Sequence, residues 1–217
     1  MANPWVVGPE PERIQRYGNH PDQLIEFFGS AGPLVAAIHG GYWRSKHNRV
    51  HMRALSAELA NSGFQVANIE YRRETQKPEE TFADVQSALQ TLENLVAVIG
   101  FSVGGQLALL NSEVAHKLIL LAPVTDLGRT REESLGENAV DEFFGDTDIE
   151  PFDPIKINFD SHIYIIHGDA DQRVPITHSR DFVKEKSGSL TEIAGADHFD
   201  VINPQGLAFE LILRALA

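Results

Sequence analysis

The chain has 217 residues, 42% hydrophobic and 23% charged, a balance that lets a domain bury its own core without a disulfide or a structural metal. A formal charge of −13 opposes nucleic acid and anionic membranes, both of which need basic patches, and leaves the class of small substrate open. The lack of cysteine excludes a thiol nucleophile, a disulfide framework and thiolate metal sites.

Residues 1–20 are rich in proline, glycine and charge and are expected to lie as an arm on the surface of a single domain spanning 1–217. The first fifteen lack a basic segment followed by an apolar run, so no signal peptide is expected. A cytoplasmic location fits that reading and the absence of cysteine. No apolar stretch approaches the roughly 20 residues a membrane span needs.

Strands are then expected at 24–28 and 34–38, the second apolar throughout. Residues 48–61 read as a helix closed by Gly63, and 66–69 as a strand. A helix at 78–92 opens on Pro78 with Glu79 and Glu80 behind it, as the helix dipole favours. Further strands fall at 95–99, 118–121, 163–166 and 190–193, and further helices at 103–110, 176–186 and 205–216. Residues 126–153 are polar and irregular, with Phe143-Phe144 as an apolar island, and read either as a short lid or as a surface connection. Strands apolar on both faces, alternating with helices, imply a mostly parallel sheet covered on each side, with function gathered at the carboxyl ends of the strands.

Four motifs sit at such ends. Gly100-Phe101-Ser102-Val103-Gly104 joins a strand to a helix, the context of a nucleophile elbow in which a serine hydroxyl projects from a tight turn. The alternative is a glycine-rich turn with a capping serine. His39-Gly40-Gly41-Tyr42-Trp43 follows the strand 34–38. Its glycines let backbone N–H groups approach an oxyanion, so Gly40 and Gly41 are the expected donors, with Val103 as the third. His39 is expected to fix this loop through hydrogen bonds, while Tyr42 and Trp43 are either substrate-pocket walls or core.

His167-Gly168-Asp169-Ala170-Asp171 supplies two candidate acids. Asp171 is favoured to orient the base and Asp169 to cap the turn. His198, in Gly195-Ala196-Asp197-His198-Phe199, is the expected general base. Phe101, Phe144 and Phe199 join Tyr42 and Trp43 as candidate pocket walls. The remaining histidines are read as structural or surface groups. His47 and His51 lack the glutamate and third ligand of a metal site, so no metal is expected.

With these motifs in place, the chain resembles the α/β-hydrolase superfamily over nearly its whole length. It is most similar to the kynurenine formamidase (arylformamidase) branch of the esterase and lipase proteins. The resemblance rests on His39 to Trp43, on Gly100 to Gly105, and on Asp197-His198-Phe199-Asp200-Val201-Ile202. Phe101 stands where that branch usually has histidine, and Val103 where it usually has alanine. The 167–175 run is closer to general esterases and prolyl-oligopeptidase-like catalytic domains.

The resemblance implies an α/β-hydrolase fold with a minimal cap or none, and a catalytic set of Ser102, Asp171 and His198. It implies cofactor-free cleavage of a small ester or formamide, N-formyl-kynurenine among them. The expected partner is a small-molecule ester or amide, not nucleic acid or membrane, and a homodimer stays open. The competing classes are a generic carboxylesterase or aminopeptidase-like hydrolase, and a non-catalytic binding protein on the same fold.

Overall fold

A computed structural model describes residues 7–73 and 76–217. One sheet holds eight strands: β1 (Arg13–Arg16), β2 (Leu24–Phe28), β3 (Leu34–Ile38), β4 (Gln65–Ile69), β5 (Leu95–Phe101), β6 (Lys117–Leu121), β7 (His162–Gly168) and β8 (Ser189–Ile193). Their spatial order is β1-β2-β4-β3-β5-β6-β7-β8. The β1–β2 and β2–β4 pairs are antiparallel and every other pair is parallel. The segment expected to be a surface arm therefore contributes an edge strand. Its side chains are largely exposed, which is why no apolar alternation marked it in the sequence.

Each central strand divides its side chains between two cores, as a period of two requires. Ala36, Ile38, Val98, Leu118 and Leu120 meet one core, and Val35, Ala37, Ile99, Ile119 and Leu121 the other. The helices α2 (Pro78–Gln90), α3 (Val103–Leu109) and α6 (Thr177–Glu185) cover the first face through Val85, Leu89, Leu107 and Phe182. The helices α1 (Arg53–Asn61) and α7 (Leu207–Leu216) cover the second through Leu55, Leu59, Phe209 and Ile212. The helix expected over 48–61 begins as a 3-10 turn, Arg49–Met52, capped by Asn48, whose Oδ1 accepts the Val50 N–H at 3.0 Å.

Residues 126–153 depart most from expectation. They form α4 (Leu127–Glu132), α5 (Leu135–Phe144) and a 3-10 turn, Glu150–Phe152. Two of the aspartates that make the stretch read as polar loop are helix caps. Asp126 Oδ1 accepts from the Arg129 N–H at 2.8 Å, and Asp153 Oδ1 from the Leu127 N–H at 2.9 Å. The opening of α5 is left-handed at Gly136, Glu137 and Asn138, a departure from helical periodicity that pattern reading could not anticipate. Phe143 and Phe144 are buried in a third cluster with Trp43, Val103, Leu127 and Val174, beside the elbow serine.

Candidate active site

Ser102 sits between β5 and α3 with φ 56° and ψ −121°, a conformation that costs a residue bearing a Cβ on the order of 1–3 kcal/mol. Backbone bonds on both sides hold it there. Its N–H donates to Leu121 O at 2.9 Å, and its carbonyl accepts from Gly105 and Val124 N–H. A Cβ on Gly104 would stand 2.2 Å from Ile38 O, so the elbow closes against the end of β3 only with glycine at that position. Among the described residues the Ser102 hydroxyl makes no hydrogen bond.

The loop after β3 lies directly against this serine. A Cβ on Gly40 would fall 2.7 Å from Ser102 Cβ and 2.9 Å from Phe101 O. Among the described residues, the backbone N–H groups of Gly40, Gly41 and Val103 donate to no protein acceptor. His39, fully buried, anchors the loop from below. Its Nδ1 lies 2.8 Å from Gly40 O and its Nε2 2.8 Å from Glu70 Oε1. Both ring nitrogens thus face oxygens that only accept.

Glu70 follows β4 and also receives Arg73, the Arg49 guanidinium at 3.2 Å and the Tyr71 N–H at 3.0 Å. Burial pushes the Glu70 carboxyl up. His39, Arg73 and the Arg49 N–H outweigh it and bring it from 4.5 down to about 2. Sequence reading foresaw the anchoring role of His39 but not its carboxylate partner. A glutamate at the carboxyl end of an apolar strand was the available signal.

β7 and β8 deliver the acid and the imidazole. His198 Nδ1 donates to Asp171 Oδ2 at 2.6 Å. The other oxygen, Oδ1, accepts the N–H groups of Arg173 at 2.8 Å and Val174 at 3.0 Å. Burial pushes the Asp171 carboxyl up, but its hydrogen bonds with His167 and His198 outweigh that and hold it well below the usual carboxylate range. Asp169 does not reach His198. Its Oδ1 accepts the Gly195 N–H at 2.6 Å, so it ties the histidine loop to the loop after β7 rather than capping its own turn.

Phe101 links the two halves of the site. It precedes Ser102 in the chain, and its ring centroid lies 4.9 Å from that of His198.

The proposed pocket walls divide by burial. Trp43 is 1% exposed, stacks on Phe143 at 5.0 Å and donates from Nε1 to Gln106 Oε1 at 3.2 Å. It is core, as are Phe101 and Phe144 at 2% and 0%. Tyr42 is buried but directional, its hydroxyl donating to Arg173 O at 2.7 Å, which ties the loop after β3 to the acid loop. Phe199 alone is partly open, with the Arg173 guanidinium carbon 5.1 Å over its ring. His51 is buried edge-on to His39 and Phe101, and no metal-binding cluster occurs among the described residues. Among them, too, no helix is long and apolar enough to cross a membrane.

The BD-FAE family matches residues 27–162, well over half of the chain. Esterase B from Lactobacillus rhamnosis superposes with a TM-score of 0.78 at 18% identity, covering 98% of this chain and 87% of that one. A truncated carbohydrate esterase from gut microbiota gives 0.79 at 16% identity, covering 96% and 98%. Propionate-bound Est2 from Thermogutta terrifontis gives 0.72 at 21% identity, covering 94% and 90%. No curated protein matches the sequence. The fold is the α/β-hydrolase fold, with a mixed, mostly parallel sheet of eight strands.

Proposed function

The chain belongs to the BD-FAE family and is an esterase-family hydrolase of the α/β-hydrolase fold; from that premise we propose that it cleaves small carboxylic esters through a Ser102 acyl-enzyme. The observation that carries the reading is a strained serine at a strand-to-helix turn, whose chain neighbour Phe101 has its ring 4.9 Å from that of His198, with Nδ1 of that histidine bound to a buried aspartate. With Nδ1 engaged, Nε2 of His198 is the nitrogen that takes the Ser102 proton as the hydroxyl attacks the ester carbonyl. The reaction requires a serine rotamer that joins hydroxyl and imidazole, and catalytic hydrogen bonds often tighten only with substrate bound.

The oxyanion then meets the uncommitted N–H groups of Gly40, Gly41 and Val103, donors of the kind worth about 10²–10³ in rate each. His198 returns its proton to the departing alcohol. Water, deprotonated by the same ring, cleaves the acyl-enzyme. Asp171, ionised and hydrogen-bonded, steadies the imidazolium in both steps.

Two neighbours support a short acyl chain. Esterase B is described with a C4-C4 tributyrin phosphonate, and Est2 with propionate. Formamide cleavage, which the sequence set beside ester cleavage, draws no support from the family match. Parallel assay of p-nitrophenyl acetate, N-formyl-kynurenine and an aminoacyl anilide separates the readings. The acetate should be turned over at least tenfold faster than the other two. Preference for N-formyl-kynurenine would replace the ester by the formamide, and no turnover of any of them would remove the enzymatic reading.

A further inference from the structure

We propose that His167 is a positioning residue that holds Asp171 from behind and sets how much of its charge is offered to His198. The proposal rests on the assignment of Asp171 and His198 above, and it starts from an uncommon arrangement. Asp171 Oδ2 lies between two imidazoles, with His198 Nδ1 at 2.6 Å and His167 Nε2 at 3.1 Å.

The hydrogen-bond partners fix the state of the second ring. His167 Nε2 is also 2.9 Å from the carbonyl oxygen of Val174, which can only accept, so Nε2 carries a hydrogen and shares it between Val174 O and Asp171. On the far side, His167 Nδ1 is 2.7 Å from Ser179 Oγ on α6, whose hydroxyl donates to it. The ring is fully buried and clamped at both nitrogens. Four donors therefore surround one carboxylate: the two imidazoles at Oδ2, and the Arg173 and Val174 N–H groups at Oδ1.

A donor at Oδ2 that is not the base draws charge from the oxygen the base uses. Removing it leaves Asp171 more strongly basic toward His198 and lets the carboxylate swing. The other ionisable groups facing this centre are Tyr42, whose field reaches Asp171, and Glu192 on β8, whose field reaches His167. The guanidinium of Arg173 lies over Phe199 instead. None of these donates to Oδ2.

The test compares His167→Ala, His167→Gln and Ser179→Ala in the full chain. It reads kcat and KM on p-nitrophenyl acetate and the NMR titration of the His198 ring. In His167→Ala, kcat should fall at least tenfold with KM within twofold, and His198 should titrate at higher pH than in the wild type. His167→Gln retains an N–H at the same reach and should recover most of both. Ser179→Ala, which loosens the ring without touching Asp171, should move both in the same direction but less, and it serves if His167→Ala does not fold. The titration reads the coupling even in a protein that turned over no ester, so failure of the functional reading stays separate. Coincident His198 titrations in all folded variants, with kcat unchanged, would overturn the proposal and leave His167 as core packing.

Discussion

Ser102 and Glu70 are the two residues whose environments translate most directly into measurement. At φ 56° Ser102 occupies a region that alanine resists as much as serine and glycine does not. Ser102→Ala should lower turnover by several orders of magnitude while the protein stays folded. Ser102→Gly, equally inactive, should be more stable than Ser102→Ala by about 1 kcal/mol, or about 2–4 °C in Tm for a chain of this size. Equal melting temperatures in scanning calorimetry would argue against stored strain at the elbow.

Glu70 titrates at about 2 in the folded state against 4.5 for the free side chain. Its folded pKa is depressed, so its contribution to stability is present above about pH 4.5 and is lost as pH falls toward 2. Asp171 is depressed in the same direction and adds to the same acid slope. Glu70→Gln should flatten the fall of the urea midpoint below pH 4.5, yet lower the midpoint at pH 7, because His39, Arg49 and Arg73 lose their anion. A variant with the wild-type acid slope would remove Glu70 from that role.

Among elements, the central strands were legible because burial on both faces leaves an unbroken apolar run, and β3, β5, β6 and β7 read that way. What escaped was structure whose side chains do not follow a period. β1 is an exposed edge paired to β2 through the backbone, with the Arg13 guanidinium over the Phe27 ring, and its side chains follow no apolar alternation. α4 begins at aspartate caps that resemble loop, and α5 opens through left-handed residues. The Phe143-Phe144 island was the visible sign of α5, and its burial against Trp43 and Val103 makes this segment part of the site's floor. Phe143→Ala should cost about 3–5 kcal/mol by chemical denaturation. Because Val103 follows Ser102 and shares that cluster, kcat should fall as well. A loss below 1 kcal/mol would mean that the segment is a loose cover.

Across the whole molecule, the sheet order brings the carboxyl ends of β3, β5, β7 and β8 to one edge, and the loops that follow them carry Gly40, Ser102, Asp171 and His198. Each of those positions stood out in the sequence because a residue type that hydrolase chemistry would use lies there, beside glycine or after a strand end. The groups behind them, Glu70 and His167, did not. Their roles exist only through side chains that arrive from other strands and loops. The pocket walls were the least legible, since an aromatic residue beside a motif is equally suited to core, and Trp43 and Phe101 became core.

The most direct test is labelling with a fluorophosphonate probe, followed by mass spectrometry of the modified peptide. The account predicts one adduct, on Ser102, absent from Ser102→Ala and formed at least a hundredfold more slowly in His198→Ala. A folded wild-type protein that stays unlabelled, or an adduct that persists in Ser102→Ala, would contradict it.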